Sequence, residues 1–267
     1  MTKRILFGAL SAALLFIFLL FGTPGLIALI YVVGFFAIYE FNKAMNHGGF
    51  HSHPILGYIF ISLMVPSYFL FDLTGLFILF AMCMYINFMY FVVTQKVDAV
   101  MLYSNVQFVY PCLMLSFICP LLLKDLGKGY LYMILLILCC FGTDILAYFT
   151  GMLIGKHKLS PKISPKKTIE GAIGGFLGSI LMALSVYFIF PLIFRQDLGF
   201  WLVMAVGTVC GVFAQFGDLT ASLFKRICDI KDFGNLIPGH GGILDRLDSI
   251  MFCLPIVYFI LLLFEFM

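Results

Sequence analysis

Acidic and basic side chains near residue 220 are spaced so that they can act together. Asp218, Ser222 and Lys225 follow one another at four and three residues, so they lie on one helix face, with Arg226 beside it. An aspartate near the end of an apolar helix is costly unless it is paired or binds a cation. The pattern indicates either a cation and phosphate site or a structural Asp–Lys pair beside basic side chains that extend to a membrane surface.

A second polar cluster precedes the last apolar stretch. The segment PGHGG, residues 238–242, offers unhindered backbone N–H groups of the kind that bind anions. Asp245 and Asp248 project from one face of the helix that follows, and Arg246 lies between them in sequence. Acidic residues are favoured in a first helical turn, which explains one aspartate but not the whole cluster. Within the glycine segment, the predicted substrate contacts are His240, Gly241 and Gly242.

Carboxylates from the two clusters could converge on Mg²⁺. This ion commonly takes one or two carboxylates, water molecules and phosphate oxygens of a substrate. We predict Asp218, Asp245 and Asp248 as the metal ligands, and a second cation is left open. The nearby basic side chains and glycine amides would neutralise a polyphosphate. The predicted catalytic residues are Asp218, Lys225, Arg226, Asp245, Arg246 and Asp248.

A lysine-rich segment precedes the seventh apolar stretch. Five lysines lie within residues 156–167. Ser164 followed by Pro165 predicts a helix N-cap and a first-turn proline. A lysine run beside a membrane either attracts anionic lipid headgroups or contacts the phosphates of a substrate. From this segment and the helix face described above, the predicted substrate contacts are Ser164, Lys166, Lys167, Thr168, Glu170 and Ser222.

One aspartate lies well inside the sixth apolar stretch. Asp144 is one helical turn from Tyr148, and Gly151 continues the same stripe. An acid inside a membrane helix indicates function, and the alternative is a hydrogen-bonded aspartate in the bundle interior. We predict that Asp144 and Tyr148 contribute to substrate binding.

Histidines and cysteines have simpler interpretations. His47 and His51 could ligate a metal with His53, but glycines interrupt the helix between them, so we expect an interfacial loop. The eight cysteines lie singly, or as the pair Cys139–Cys140, inside apolar stretches, and no CxxC occurs. We interpret them as small buried hydrophobic residues, neither a disulfide framework nor a zinc site.

Composition places the chain in a membrane. Hydrophobic residues make up 63% and charged residues 11% of its 267 residues, and the mean hydropathy is +1.11. A soluble domain is roughly half apolar, and a membrane span needs about 20 apolar residues. We predict an all-α polytopic membrane protein, with an N-terminal region over 1–128 and a catalytic region over 129–267. Its nine transmembrane helices are predicted at 5–22, 25–42, 54–71, 73–94, 105–123, 130–154, 168–194, 199–222 and 243–266.

Basic residues predict the orientation. With a cytoplasmic N-terminus, thirteen of the sixteen lysines and arginines fall on the cytoplasmic side. The polar clusters then face the cytoplasm from the cell inner membrane, where they can meet nucleotides. An ion transporter is the alternative from another class, but it would need charges along a path through the bilayer.

Small residues in the seventh apolar stretch predict a close helix-packing face. This face is also the local candidate for a dimer contact. Its members are Gly171, Gly174, Gly175 and Gly178.

Together these residues resemble a known signature. Residues 222–248, SLFKRICDIKDFGNLIPGHGGILDRLD, are similar throughout to the signature of the phosphatidate cytidylyltransferases, also called CDP-diacylglycerol synthases. Asp144 with Tyr148, and the segment 164–171, resemble the same family. The resemblance covers about residues 140–250, and it rests on too many fixed positions to be a chance match.

The resemblance implies an enzyme of phospholipid biosynthesis. Members of the family condense CTP with phosphatidic acid, giving CDP-diacylglycerol and pyrophosphate, and they require a divalent cation, usually Mg²⁺. The resemblance further implies a homodimer with a polar cavity open to the bilayer. The expected partners are CTP, phosphatidic acid and the lipid bilayer, with no nucleic acid. Within the same class, the alternative is a cytidylyltransferase that acts on another lipid phosphate.

The chemistry of the lipid substrate suggests how such a reaction would proceed. A phosphate monoester has a second pKa of about 6, so at neutral pH it is mostly a dianion and already a nucleophile. We therefore expect in-line attack on the α-phosphorus of CTP, promoted by positioning and charge neutralisation rather than by a general base. The glycine-segment amides would support the departing pyrophosphate.

Overall fold

Apolar helices of membrane-spanning length form most of the structure. The structure is a computed structural model, and it describes residues 17–18, 20–50, 54–94, 105–125, 127–235 and 241–265. Within these ranges, seven helices are long and apolar enough to cross a membrane. They are α1 (Gly22–His47), α2 (Ile55–Thr94), α3 (Asn105–Leu123), α4 (Gly129–Ile154), α5 (Ile169–Phe194), α6 (Phe200–Ile227) and α7 (Leu244–Glu265).

A largely helical, multi-pass membrane protein is therefore confirmed. The number of nine spans stays a prediction, because most of the first one, 5–22, lies outside the described residues. The third and fourth predicted spans, 54–71 and 73–94, correspond to α2.

The backbone of α2 breaks where the sequence predicts a boundary. Phe71 and Asp72 leave the helical region, and Asp72 has a φ of 52°. In a straight helix, Ser67 and Gly75 would be about 12 Å apart along the axis. Instead, the Ser67 hydroxyl donates to the Gly75 carbonyl oxygen at 3.1 Å. The chain folds back at Asp72, so α2 consists of two apolar limbs.

Buried amide pairs hold the N-terminal helices together. In α3, Phe108–Leu113 is π-helical, followed by the short α-helical segments Met114–Ser116 and Ile118–Leu123. Just before this π-helix, Gln107 accepts a hydrogen bond from the Asn42 side chain of α1 at 3.0 Å. The Asn87 side chain of α2 donates to the Asn105 side chain at 2.9 Å. Such bonds satisfy polar groups that neither lipid nor an apolar interior could satisfy.

A β-hairpin lies between α4 and α5. Strand β1 (Lys158–Ser160) pairs antiparallel with β2 (Ser164–Thr168). The all-α prediction is thus incomplete at the lysine-rich segment. The prediction that Ser164 caps the helix, with Pro165 in its first turn, is wrong, because both residues lie in β2.

Helix α5 begins after the hairpin because Thr168 caps it. The Thr168 hydroxyl accepts the N–H of Gly171 at 3.1 Å, and Glu170 lies in the first turn. A start at Ser164 would place Lys166 and Lys167 in the first turn, where the positive end of the helix dipole disfavours cations.

Thr168→Val should reduce the free energy of unfolding by about 1 kcal/mol, the usual value of an N-cap side chain. Valine keeps the branched shape but removes the acceptor, whereas the matched variant Thr168→Ser keeps the acceptor. Thermal unfolding of the two proteins in detergent measures the difference. Equal stabilities would show that the cap does not stabilise α5.

The glycine face of α5 packs against α4. A Cβ added at Gly174 would collide with Thr150, and one added at Gly178 would collide with the Gly142 carbonyl oxygen. The predicted close packing is confirmed. The suggestion that this face mediates dimerisation is wrong, because α4 of the same chain covers it.

The chain divides into two compact units. One contains the described residues of 1–130 and 225–247, and the other those of 131–224 and 248–267. Both α6 and α7 contribute residues to each unit. The predicted regions 1–128 and 129–267 stay a prediction.

Candidate functional site

A buried ion pair links the end of α6 to the first turn of α7. Lys225 Nζ lies 2.7 Å from Asp245 Oδ1, and their side chains are 12% and 5% exposed. The Lys225 ammonium also lies 5.5 Å from the centroid of the Phe233 ring. Because both side chains are buried, each charge is stabilised by the other, and removal of one partner would leave a buried charge uncompensated.

The second oxygen of Asp245 organises the glycine segment. Asp245 Oδ2 accepts the N–H groups of Phe233 and Gly242, both at 2.9 Å. Gly241 has a φ of 82°, a conformation that glycine adopts without strain. The first unit thus brings together Lys225, Asp245, Gly241 and Gly242, four residues that the sequence predicts to be functional. His240 lies outside the described residues.

Backbone N–H groups at the end of the glycine segment and just after it donate hydrogen bonds to carboxylates of the protein. The Gly242 N–H binds Asp245, and those of Ile243 and Leu244 bind Glu40 at 3.1 and 2.8 Å. In this conformation, Gly242 has no free N–H for a pyrophosphate. A protein carboxylate thus takes the Gly242 N–H at the positive end of α7, whereas the anion site predicted for the rest of residues 238–242 stays a prediction.

Glu40 is the site residue that the sequence analysis missed. It lies in α1 and is only 1% exposed. The available signal was an acid inside the predicted span 25–42, which indicates function by default. Its partners were not predictable, because Ile243 and Leu244 are 203 and 204 residues away in sequence.

The turn after α6 is anchored to the end of α1. The His47 ring donates to the Cys228 carbonyl oxygen at 3.2 Å, and the Cys228 thiol donates to Met45 Sδ at 3.6 Å. Burial raises the pKa of the Cys228 thiol, which favours this protonated form. Helix α1 ends at His47, before the glycines, as predicted. His51 and His53 lie outside the described residues.

In the second unit, Asp218 pairs with the lysine-rich segment. Lys167 Nζ lies 2.6 Å from Asp218 Oδ2, and both side chains are partly exposed. The Ser222 hydroxyl donates to Asp218 Oδ1 at 3.5 Å, which confirms that these two residues share a helix face. The alternative of an Asp218–Lys225 pair is replaced by two pairs with other elements: Asp218 with Lys167, and Lys225 with Asp245.

Asp248 is buried in the second unit. It is 6% exposed, and its Oδ1 accepts the backbone N–H of Ser249 at 2.7 Å and the Ser249 hydroxyl at 3.4 Å. A Cβ at Gly217 would collide with the Asp248 carbonyl oxygen, so α6 and α7 approach closely there. Its predicted role as a metal ligand stays a prediction.

Glu170 closes the base of the β-hairpin. Its carboxylate accepts the N–H groups of Lys156 at 3.0 Å and His157 at 3.2 Å, and the His157 ring lies 2.6 Å away. Such contacts fix the segment that presents Lys167. The sequence analysis did not identify His157, and the predicted contact of Glu170 with substrate stays a prediction.

The predicted polar stripe of α4 faces outward. Asp144 is exposed, and Tyr148 is 65% exposed. The alternative of an aspartate inside the bundle is therefore wrong for Asp144, whereas Gly151 packs beside Thr168 and Gly171.

Ser164 is partly exposed. The exposed basic residues among those predicted to be functional are Lys166, Arg226 and Arg246.

All eight cysteines are buried, as predicted. Three of them come together unexpectedly, since the thiols of Cys140, Cys210 and Cys253 lie within 4.8 Å of one another. Three thiols can bind a metal only as costly thiolates in this apolar interior. The prediction that the cysteines form no zinc site stays a prediction.

Comparison with known proteins adds an independent finding. The model of the cytidylyltransferase family matches residues 2–264. The phosphatidate cytidylyltransferase of Bacillus subtilis (strain 168) is 32% identical over 275 residues, 99% of each chain. Proteins of the same name from Staphylococcus epidermidis and Staphylococcus aureus are 38% and 36% identical over 136 and 137 residues, 51% of each chain.

Proposed function

Because this chain belongs to the cytidylyltransferase family, we infer that it transfers the cytidylyl group of CTP to phosphatidic acid, giving CDP-diacylglycerol and pyrophosphate. The similarity to the Bacillus protein, which extends over nearly the whole of both chains, carries this conclusion. It is therefore a nucleotidyltransferase enzyme of phospholipid biosynthesis. Its membrane helices suit a reaction in which a lipid meets a water-soluble nucleotide.

We propose that the reaction is a direct displacement at the α-phosphorus. A phosphate oxygen of the lipid forms a bond to that phosphorus, and the bond to the β-phosphate oxygen breaks as pyrophosphate leaves. The lipid phosphate is mostly a dianion at neutral pH and needs no base. The protein has to hold two highly charged molecules together, so binding and charge neutralisation promote the reaction.

Basic side chains are proposed to hold the phosphates. Lys167 and Lys225 are each held by a carboxylate, which fixes where their charge lies. Lys166, Arg226 and Arg246 are exposed, so they can be reached by the triphosphate or by the lipid phosphate. Asp144 and Tyr148, on the exposed stripe of α4, are also proposed as substrate contacts.

We propose that Asp218, Asp245 and Asp248 hold Mg²⁺. Their carboxylate oxygens fit a hard cation, and two of them already lie within 2.7 Å of an ammonium group. When bound, the ion would supply positive charge to the phosphates of CTP. Two backbone N–H groups take Asp245 Oδ2, so Oδ1, which Lys225 contacts at 2.7 Å, is the oxygen that would be shared with the cation.

The location of the site is also proposed. The distribution of basic residues supports a cytoplasmic N-terminus and a site that faces the cytoplasm from the inner membrane. Family resemblance alone supports a homodimer, and α4 already covers the glycine face of α5, so any dimer would use another surface.

Purified protein in detergent should release pyrophosphate only when CTP, phosphatidic acid and Mg²⁺ are all present. EDTA should abolish the release, because the phosphates lose their neutralising cation. Excess Mg²⁺ should restore it. Activity that persists in EDTA would refute the metal proposal. A folded preparation that uses another lipid phosphate, but not phosphatidic acid, would correct the substrate.

A further inference from the structure

We propose that Glu40 is a positioning residue that fixes Asp245 by holding the backbone in front of it. This inference rests on the proposed function, because Asp245 is taken to act in the transfer reaction. Glu40 lies in α1, far from the signature at residues 222–248, and it contacts the segment that leads into α7. Its role would be indirect, through the backbone.

Hydrogen bonds provide the first support. Both oxygens of Glu40 are used: Oε1 accepts the Ile243 N–H at 3.1 Å, and Oε2 accepts the Leu244 N–H at 2.8 Å. The preceding N–H, of Gly242, binds Asp245. Three successive N–H groups are thus shared between two carboxylates, and Glu40 holds the residue next to Asp245.

Close packing provides the second support. A Cβ added at either Gly234 or Gly242 would collide with the Glu40 carboxylate. The backbone therefore approaches Glu40 at two separate positions, Gly234 and Gly242, where a larger side chain has no room. Glycine at these positions lets the backbone contact the Glu40 carboxylate. This contact accounts for the absence of a side chain there, with no need for a bound phosphate.

Charge provides the third support. Glu40 is buried, and the charged groups that act on it are Asp245, which repels it, and Lys43, which attracts it. A buried carboxylate beside another carboxylate is unfavourable unless strong hydrogen bonds offset the repulsion. The two N–H groups at the start of α7 supply those bonds, with the helix dipole adding to them.

The test compares Glu40→Gln with wild-type protein in lipid nanodiscs. Glutamine keeps the size but has one acceptor oxygen, so one of the two N–H groups loses its partner. We expect faster hydrogen–deuterium exchange confined to residues 241–247, kcat lower by about 10- to 100-fold, and a KM for CTP within about twofold of wild type. Glu40→Ala should reduce kcat further.

Asn87→Leu is the matched control. It removes a buried hydrogen bond from the same unit, to Asn105, without touching the glycine segment. We expect it to lower thermal stability while leaving kcat and the exchange of residues 241–247 unchanged. This separates a positioning effect from general destabilisation.

Two results would overturn the inference: a kcat for Glu40→Gln within twofold of wild type, or exchange that accelerates throughout the first unit to the same degree. The exchange measurement does not depend on turnover. If wild-type protein shows no cytidylyltransferase activity, the proposed function fails, and localised exchange would still establish that Glu40 holds the segment.

Discussion

Asp245→Asn should reduce turnover by about 100-fold or more, the usual effect of removing one preorganised electrostatic contact at a reaction centre. Asparagine keeps the shape, but it leaves the buried Lys225 ammonium without its counter-charge. One end of the amide also cannot accept the N–H groups of Phe233 and Gly242 that the carboxylate binds. The measurement is the rate of CDP-diacylglycerol formation at saturating CTP.

Asp229→Asn is the matched control for this variant. Asp229 is an exposed aspartate in the turn after α6 with a φ of 54°, a conformation that asparagine also tolerates. Its activity should stay close to wild type. Wild-type turnover in a folded Asp245→Asn protein would remove Asp245 from the site.

Gly242→Ala should have an effect of similar size on activity. The added methyl group would meet the carboxylate of Glu40 in a buried position whose backbone already binds Asp245. The segment has to shift, which should cost about 1–3 kcal/mol of stability, and a displaced Asp245 should lower kcat by about 100-fold. Thermal unfolding and initial rates measure the two effects.

Two further variants sharpen this test. Gly127→Ala adds the same methyl group at an exposed glycine, where among the described residues it would meet the Asp125 side chain at 3.2 Å, so little should change. Combining Gly242→Ala with Glu40→Ala removes the collision, so the stability losses should not add. Fully additive losses would show that the two residues are not in contact.

Hydropathy and local sequence predicted the helices well. The boundary at residue 72 was visible because an aspartate interrupts an apolar stretch, and the structure breaks there. The apolar part of α5 was predicted within one residue, as 168–194 against Ile169–Phe194, although its N-cap was wrongly placed at Ser164. Each of these features depends on a few neighbouring residues, which a single sequence displays.

Features that depend on distant contacts were not predictable. The hairpin at residues 158–168 has only two short strands, and Glu170 stabilises it by accepting N–H groups thirteen and fourteen residues away. The ion-pair partners were equally unpredictable. The spacing of Asp218 and Lys225 allowed them to pair with each other, yet each pairs with a residue of another element.

Glu40 shows the same difficulty for the candidate site. The sequence displayed an acid within an apolar span, but its meaning depends on a segment about two hundred residues later. The signature at residues 222–248 identified most of the polar residues near Asp245. It could not identify the residue from α1 that holds them.

The fold-back of α2 at Asp72 bears on how many times the chain is expected to cross the membrane. A straight helix of 40 residues would be about 60 Å long, twice the hydrocarbon thickness of about 30 Å. We propose that each limb of α2 crosses the membrane once, so that the helix completes two crossings instead of one. The predicted direction of every later helix follows from this count. On this proposal, the break at Asp72 is required for the lysine-rich segment to lie on the side that is predicted to contain CTP.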